Sequence, residues 1–291
     1  MLGYTILAGL LFGLYFSLVG LGLNLVFGVV RIVNLAHGDF LMLGAFSAYW
    51  LFSLFAVSPF ISVVLVFVGF SIIAWPLYYL LVPRLMATKD PEMLSLILFF
   101  GFSQVIEALA TIAFGTSDRS IPGRALHMGP CRLFGQNYPA SWIVGAVVSA
   151  AAVLFIYLYL YHTTKGYLSR AVMAHREEAV ASGINVNRVC AIAFSIGVGL
   201  AAAAGVFAPF IFGSINPAMG VNITITSLTV IVVGSLGNPL GTVLGGLTYG
   251  ISLMFMQTYF SSWANLLAYV MLILILLIRP SGLLGRSVRY A

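Results

Sequence analysis

Apolar runs long enough to cross a membrane recur along almost the whole of this chain. Each spans roughly 18 residues or more, the length that about 30 Å of hydrocarbon requires of an α-helix. The runs are continuously apolar and do not alternate with polar residues, as the strands of a membrane barrel would. The sequence therefore predicts an all-α protein, a polytopic bundle of transmembrane helices.

The composition agrees with a chain embedded in lipid. Charged residues make up 7% of the sequence, whereas a soluble domain carries about 25%. The net charge of +6 is better explained by membrane orientation than by nucleic acid, because Lys and Arg accumulate on the cytoplasmic side. The cysteines, Cys131 and Cys190, lie far apart and form no disulfide or metal-binding pattern. No basic segment precedes the first apolar run, which is interpreted as a retained span rather than a signal peptide.

These runs give about eight spans within one membrane domain, residues 1–291. The predicted spans are residues 5–30, 40–57, 60–83, 93–115, 141–161, 190–213 and 264–278, together with a broken segment over 222–257. Turn residues at 237–239 divide that segment into two pieces, of which the first is short for a full crossing. We expect a helical hairpin or a re-entrant segment there.

The distribution of Lys and Arg sets the predicted orientation. Placing Arg31, the loop 84–92, the loop 162–189 and the tail 279–291 on the cytoplasmic side leaves few basic residues outside. These are Arg119, Arg124 and Arg132, all in the outer loop 116–140. The N-terminus is therefore predicted to lie outside and the C-terminus in the cytoplasm, so the broken segment must return to the side that it leaves.

A polar cluster separates the first two spans. Asn34, His37 and Asp39 stand between long apolar runs, where polar groups are costly unless they face protein, water or the membrane surface. One interpretation is local capping of the second helix, since Asn and Asp at a helix start satisfy orphan amides. The other is that these side chains line a pathway for a solute, and the two interpretations are compatible.

A second break occurs late in the chain at Gly237, Asn238 and Pro239. It is either a tight turn between two helices or part of a discontinuous helix that lines a transport pathway. We expect both breaks to approach the same pathway. We also expect His37 and Asp39 to bond to the backbone or to neighbouring groups rather than to a metal.

Enzyme chemistry finds little support in the residue pattern. The chain has four His and seven acidic residues, and none of them has the spacing of a metal site, a P-loop or a nucleophile elbow. His37 and Asp39 are two positions apart and would not share a helix face. The sequence predicts a protein that is not an enzyme and that carries no cofactor of its own.

The loop 162–189 predicts a short helix between two spans. Ser169 is a plausible N-cap for a helix over 170–182, and Gly183 is a plausible residue to end it. Such a helix can insert into a groove on a partner, or it can be a solvated linker on the membrane surface. Its charged residues are Arg170, Arg176, Glu177 and Glu178.

Several stretches together resemble one family, the permease subunits of ATP-binding-cassette importers for branched-chain amino acids. They are residues 22–28 with 32–40, then 170–172, 176–177, 179, 183–185 and 188–189, then 216–217, 234–239, 241–242 and 245–246, and the closing 279–285. In combination these stretches are specific for the permease family. They are less specific for the solute, because relatives carry urea and other small amides or acids.

The resemblance implies a subunit that forms half of a pore in the bacterial inner membrane and works by alternating access. A second homologous permease subunit would complete the pore, two cytoplasmic ATP-binding subunits would bind ATP and Mg, and an extracytoplasmic substrate-binding protein would deliver the solute. The helix over 170–183 resembles the coupling helix that docks on the ATPase. The sequence departs from the family there, with His175 in place of a small acidic or amide residue and Glu178 in place of a small one.

Other charged residues allow further contacts or a different mechanism. In the outer loop, Asp118, Arg119 and Arg124 are candidates for docking the binding protein by complementary charge, or they are simply solvated. Glu107 is either a satisfied interfacial residue or a contact to a neighbouring subunit. The alternative function is a self-sufficient carrier or channel for a small polar solute such as urea, for which Asp39 and Glu107 are the only candidates to couple an ion.

Overall fold

The computed structural model describes residues 2–126, 129–133 and 135–285, and α-helices dominate this part of the chain. Eleven α-helices lie within it: α1 Leu2–Val30, α2 His37–Phe55, α3 Pro59–Met86, α4 Pro91–Phe114, α5 Ala140–His162, α6 Thr164–Ala174, α7 Arg176–Ala181, α8 Val186–Phe212, α9 Met219–Gly234, α10 Pro239–Tyr259 and α11 Leu267–Ile278. A 3₁₀ turn, Ser261–Leu266, leads into α11. The predicted all-α bundle is confirmed.

Eight of these segments are long and apolar enough to span a membrane. The eighth combines the 3₁₀ turn with α11. Helix α9 has 16 residues and is shorter than a full crossing requires. The predicted spans are confirmed within a few residues, and so is the broken segment, because α9 and α10 are separate helices joined by a turn.

Helices α1 and α8 form the centre of the bundle, and most of their residues are buried. Small residues allow this close packing. A side chain at Gly22 would collide with the Gly197 carbonyl of α8, and one at Gly205 would collide with the backbone of α2 at Leu41. Small residues at such crossings let helices approach in lipid, where the hydrophobic effect does not draw them together.

Helices α3, α4 and α11 form the outside of the bundle and expose large apolar side chains. Ile72 on α3, Ile112 on α4 and Leu277 on α11 each expose more than half of their surface. Side chains of this kind suit contact with lipid tails or with a partner helix in the membrane. The burial pattern therefore separates a packed centre from a membrane-facing shell.

The outer loop 116–140 contains a small hairpin that the sequence did not predict. Strands β1 (Cys131–Leu133) and β2 (Gln136–Tyr138) pair in antiparallel register. The Tyr138 ring stacks on Tyr4 of α1 with the ring centroids 4.8 Å apart. This contact fixes the loop against the beginning of the first span.

The loop 162–189 differs from its prediction. It holds two helices, α6 and α7, that meet at His175, whose extended backbone (φ −145°, ψ 99°) interrupts the helix predicted over 170–182. The cap is Thr163, whose hydroxyl accepts from the Gly166 amide at 3.0 Å. Ser169 is not the cap, because it lies inside α6 and donates to the Lys165 carbonyl at 2.9 Å.

The predicted end of this helical region at Gly183 is confirmed. Gly183 has φ +79°, a left-handed conformation that glycine adopts without steric cost. Its amide donates to the Val180 carbonyl at 2.9 Å, and the Ile184 amide donates to the Ala179 carbonyl at 3.0 Å. This pair of bonds is the Schellman pattern that closes a helix C-terminus.

Candidate functional site

The first break, residues 31–36, runs back along the end of α1 before α2 begins. Helix α2 starts at His37, whose Nε2 donates to the Val19 carbonyl at 2.9 Å. Val19 lies about three turns before the end of α1 at Val30. The N-terminus of α2 therefore lies beside the middle of α1 rather than beside its end.

Polar contacts hold this break together. Asn34 Oδ1 accepts from the Ala36 amide at 3.1 Å, so it satisfies a backbone amide just before α2 but does not cap the helix, whose N-cap is Ala36. The Thr224 hydroxyl of α9 accepts from the Gly38 amide at 2.9 Å and lies 3.0 Å from the Leu35 carbonyl oxygen, to which it can donate. Thr224 thus attaches α9 to the start of α2.

Asp39 occupies an unusual position in the first turn of α2. It is fully buried, and Ser103 and Glu107 of α4 are its polar neighbours. Within the described residues neither carboxylate oxygen has a hydrogen-bond partner. The carboxylate lies against Gly220 in the first turn of α9, and the N-terminal ends of α2 and α9 favour negative charge there.

Asn34, His37 and Asp39 are all fully buried, so in this conformation they line no open pathway. The expected bond to the backbone is present for His37, and Ser103 is the polar neighbour of the Asp39 carboxylate. No group of three or more metal-ligating side chains occurs among residues 2–126, 129–133 and 135–285.

The second break is a turn over 235–238 between α9 and α10. Ser235 and Gly237 have positive φ values of 126° and 77°. The Asn238 side chain caps α10 by accepting from the Leu240 and Gly241 amides at 3.1 and 3.2 Å. The tight-turn interpretation is therefore confirmed for this break.

One buried side chain of α1 holds the second break in place. Asn24 Oδ1 accepts from the Gly237 amide at 2.5 Å, and its Nδ2 donates to the Asn238 carbonyl at 2.9 Å and to the Thr242 hydroxyl. Both breaks therefore pack against α1, the first at Val19 and the second at Asn24. The sequence signal for this role is an amide inside a long apolar run.

The end of the described chain also contacts the second break. The Leu283 amide donates to the Val233 carbonyl at 2.8 Å, and the Leu284 amide donates to the Gly234 carbonyl at 3.3 Å. These carbonyls belong to the last turn of α9, where helical partners are lacking. The segment 282–284 thus closes the C-terminus of α9.

Helix α6 reaches the second break directly. The Met173 methyl group packs beside Gly28 of α1 and Gly237 of the turn. The Arg31 guanidinium donates to the Met173 carbonyl at 3.1 Å. The loop 162–189 is therefore joined to both α1 and the turn.

A cavity of about 680 Å³ lies at this junction. Gly237, Asn238 and Pro239 line it together with Arg31 and Arg170. The structure thus places Arg170, one of the predicted coupling residues, and the whole second break around the same cavity.

The predicted coupling residues do not all face the same way. Arg170 lies between two aromatic rings, 4.6 Å from the Tyr161 centroid and 4.7 Å from the Tyr167 centroid. Arg176 points inward and lies 3.8 Å from the Cys190 sulfur. Glu177 and Glu178 are exposed on α7, so these acids are the ones that a partner could contact.

In the outer loop, two of the predicted docking residues also have structural roles. Asp118 accepts from the Asn216 side chain at 2.9 Å. The Arg119 backbone pairs with that of Ile215 through bonds of 2.9 and 2.8 Å. Arg124 lies in the 3₁₀ turn Gly123–Leu126, and its side chain is outside the described part of the structure.

The apolar helices, the buried breaks and the attached helical loop define a multi-pass membrane protein in which a helical loop between two spans contacts the transmembrane core. The family model described as "Branched-chain amino acid transport system / permease component" matches residues 5–276. The chain belongs to this permease family, which is a family of transport proteins and not of enzymes.

Named relatives match almost the whole chain. The high-affinity branched-chain amino acid transport system permease protein BraD of Pseudomonas aeruginosa is 30% identical, over 96% of this chain and 94% of its own length. The corresponding LivH protein of Escherichia coli K12 is 27% identical, over 96% and 94%. A probable LivH of Methanocaldococcus jannaschii is 28% identical, over 92% and 88%. No solved structure matches this chain.

Proposed function

We propose that this chain forms half of the translocation pathway of an ATP-driven importer for branched-chain amino acids. The names of the BraD and LivH relatives support this solute class. A second homologous permease subunit completes the pore, and two ATP-binding subunits dock on α6 and α7. An extracytoplasmic binding protein delivers solute to the face that carries the loop 116–140, in the plasma membrane of a bacterium, with the N-terminus outside.

The contact of Met173 with Gly28 and Gly237 is the observation that carries this proposal. It gives a displaced helix α6 a direct route to the second break. Asn24 attaches that break to α1, and Thr224 attaches α9 to the first break. A movement of the coupling loop would therefore reorient both breaks together, as alternating access requires.

Reconstitution into proteoliposomes tests this function. The tagged chain is purified with the subunits that copurify with it, and uptake of labelled L-leucine is measured with its binding protein. We expect uptake only when ATP is supplied on the side of the membrane where the ATP-binding subunits lie. Uptake that proceeds equally without ATP would instead identify a self-sufficient carrier or channel and would contradict the importer.

The coupling route predicts the effect of Met173→Ala. Removing the thioether leaves a gap between α6, Gly28 and Gly237, so movement of α6 is transmitted less well. We expect the amount of leucine imported per ATP hydrolysed to fall about threefold or more, the effect of roughly 0.7 kcal/mol of lost coupling. Copurification of the ATP-binding subunits stays unchanged.

Met93→Ala is the matched control, because Met93 is exposed on α4. It removes the same side chain away from the coupling loop, and we expect wild-type uptake per ATP. An unchanged ratio in Met173→Ala as well would show that the contact does not transmit movement.

A further inference from the structure

A cavity of about 540 Å³ opens between α9, α10 and the segment that leads into α11. This volume lies in the range of small-molecule sites, roughly 300–1,000 Å³. Its walls include Phe16 and Val19 of α1, and Val19 also accepts the bond from His37. The cavity therefore borders the first break without containing any residue of it.

Uncharged polar side chains from separate elements converge on this cavity. The amides are Asn222 of α9, Gln257 of α10 and Asn265 of the 3₁₀ turn. None of these amides makes a side-chain hydrogen bond within the described residues. All three residues are exposed in this chain, so their amides are free to bond to a molecule in the cavity.

The lining also determines what the cavity can hold. It contains hydroxyl groups at Thr226 and Tyr249, apolar walls at Phe16 and Leu253, and no Asp, Glu, Lys or Arg among its described residues. A solute with a net charge would find no opposite charge there, whereas the two charges of a zwitterion offset each other and can accept hydrogen bonds from the amides and donate hydrogen bonds to them. A small net-neutral solute with an apolar portion would satisfy both the amides and the apolar wall.

We propose that this cavity is a solute-binding site of the permease for small net-neutral molecules that carry both hydrogen-bonding groups and an apolar side chain. The inference rests on the proposed import function and names the site and the solute class. Thr224 of α9 holds the start of α2, while Asn222 and Thr226, two residues to either side of it on the same helix, line the cavity. Occupancy of the cavity is thereby linked to the position of the first break.

Two threonines offer a matched test of the site. Thr226 and Thr248 each lie on a helix and donate to the carbonyl four residues earlier, at 3.0 and 2.8 Å. Thr226 lines the cavity, whereas Thr248 is exposed on α10 away from it. Thr226→Val and Thr248→Val therefore remove the same group, and only the first changes the cavity.

The variants are measured in the assembled transporter with saturating binding protein and labelled L-leucine. We expect Asn222→Leu and Thr226→Val to lower the uptake rate about two- to tenfold, the effect of one lost hydrogen bond. ATP hydrolysis stimulated by the binding protein stays at the wild-type level, as does uptake by Thr248→Val. Equal uptake by all three variants and the wild type would overturn the assignment of this cavity as a solute-binding site.

Protection of a cysteine gives a readout of occupancy. Gln257→Cys is combined with Cys131→Ser, because Cys131 is exposed and Cys190 is buried. We expect L-leucine to slow maleimide labelling of residue 257 severalfold, whereas L-lysine and L-glutamate do not. Labelling that no solute slows, in a transporter that still imports leucine, would overturn this inference alone. A wild-type transporter that does not import leucine would contradict the proposed function instead.

Discussion

Replacing Gly250 by leucine is expected to prevent the bundle from assembling. A side chain at Gly250 of α10 would overlap the backbone of Gly13 and the carbonyl oxygen of Gly9 on α1. Backbone atoms cannot rotate away as a flexible side chain can, so the two helices must separate. Overpacking of a well-packed core costs about 1–3 kcal/mol, and a forced separation of α1 from α10 is expected to exceed about 3 kcal/mol. Size-exclusion profiles and thermal unfolding in detergent measure the effect.

Gly69→Leu provides the control for this substitution. Gly69 also lies within a transmembrane helix, α3, but a Cβ there would meet nothing within 4 Å. The change adds the same side chain to a helix of similar length, and we expect the profile and the unfolding temperature of the wild type. If Gly250→Leu behaved like Gly69→Leu, the close packing of α1 on α10 would be wrong.

Replacing Asn24 by leucine is the second change with a large expected effect. The two side chains are similar in size, but leucine cannot bond to the Gly237 amide or the Asn238 carbonyl, which Asn24 contacts at 2.5 and 2.9 Å. The Asn238 carbonyl keeps its bond from the Thr242 amide, but the Gly237 amide would lose its partner, and a desolvated backbone group without a partner costs about 1–3 kcal/mol. We expect a loss of about 2–3 kcal/mol in unfolding free energy, together with a loosened second break.

Hydrogen exchange at the Gly237 amide separates a local effect from a general one. We expect this amide to exchange at least tenfold faster in Asn24→Leu, since its acceptor is gone, while amides in the centre of α8 change less. Asn216→Leu is the control, because Asn216 bonds to a side chain in the outer loop. Unchanged protection of Gly237 in Asn24→Leu would show that Asn24 does not hold the break.

Much of the fold is predictable from the sequence because its signals are local. Runs of apolar residues define the spans, and turn residues at 237–239 define the break between α9 and α10. Gly183 was predicted to end the coupling region, since a left-handed residue after a helix favours glycine. Each of these features depends on residues that are close together in the chain.

The errors and omissions come from contacts between distant residues. Nothing between Arg170 and Ser182 breaks a helix by its own preference, so the bend at His175 was not predicted. Asn24 acquires its role from Gly237 and Asn238, which follow more than two hundred positions later. Similarly, Met173 is an ordinary apolar residue in the sequence, and its importance comes from the two glycines that it contacts.

The bonds from Leu283 and Leu284 to the end of α9 have a consequence for biosynthesis. A chain growing on the ribosome produces the Val233 and Gly234 carbonyls long before it produces their partners. Helices α10 and α11 are therefore synthesised while the α9 terminus is still open, and the second break is completed only after residues 283 and 284 have been translated. The order of synthesis thus delays closure of this junction until α10 and α11, which follow α9 in the chain, have been made.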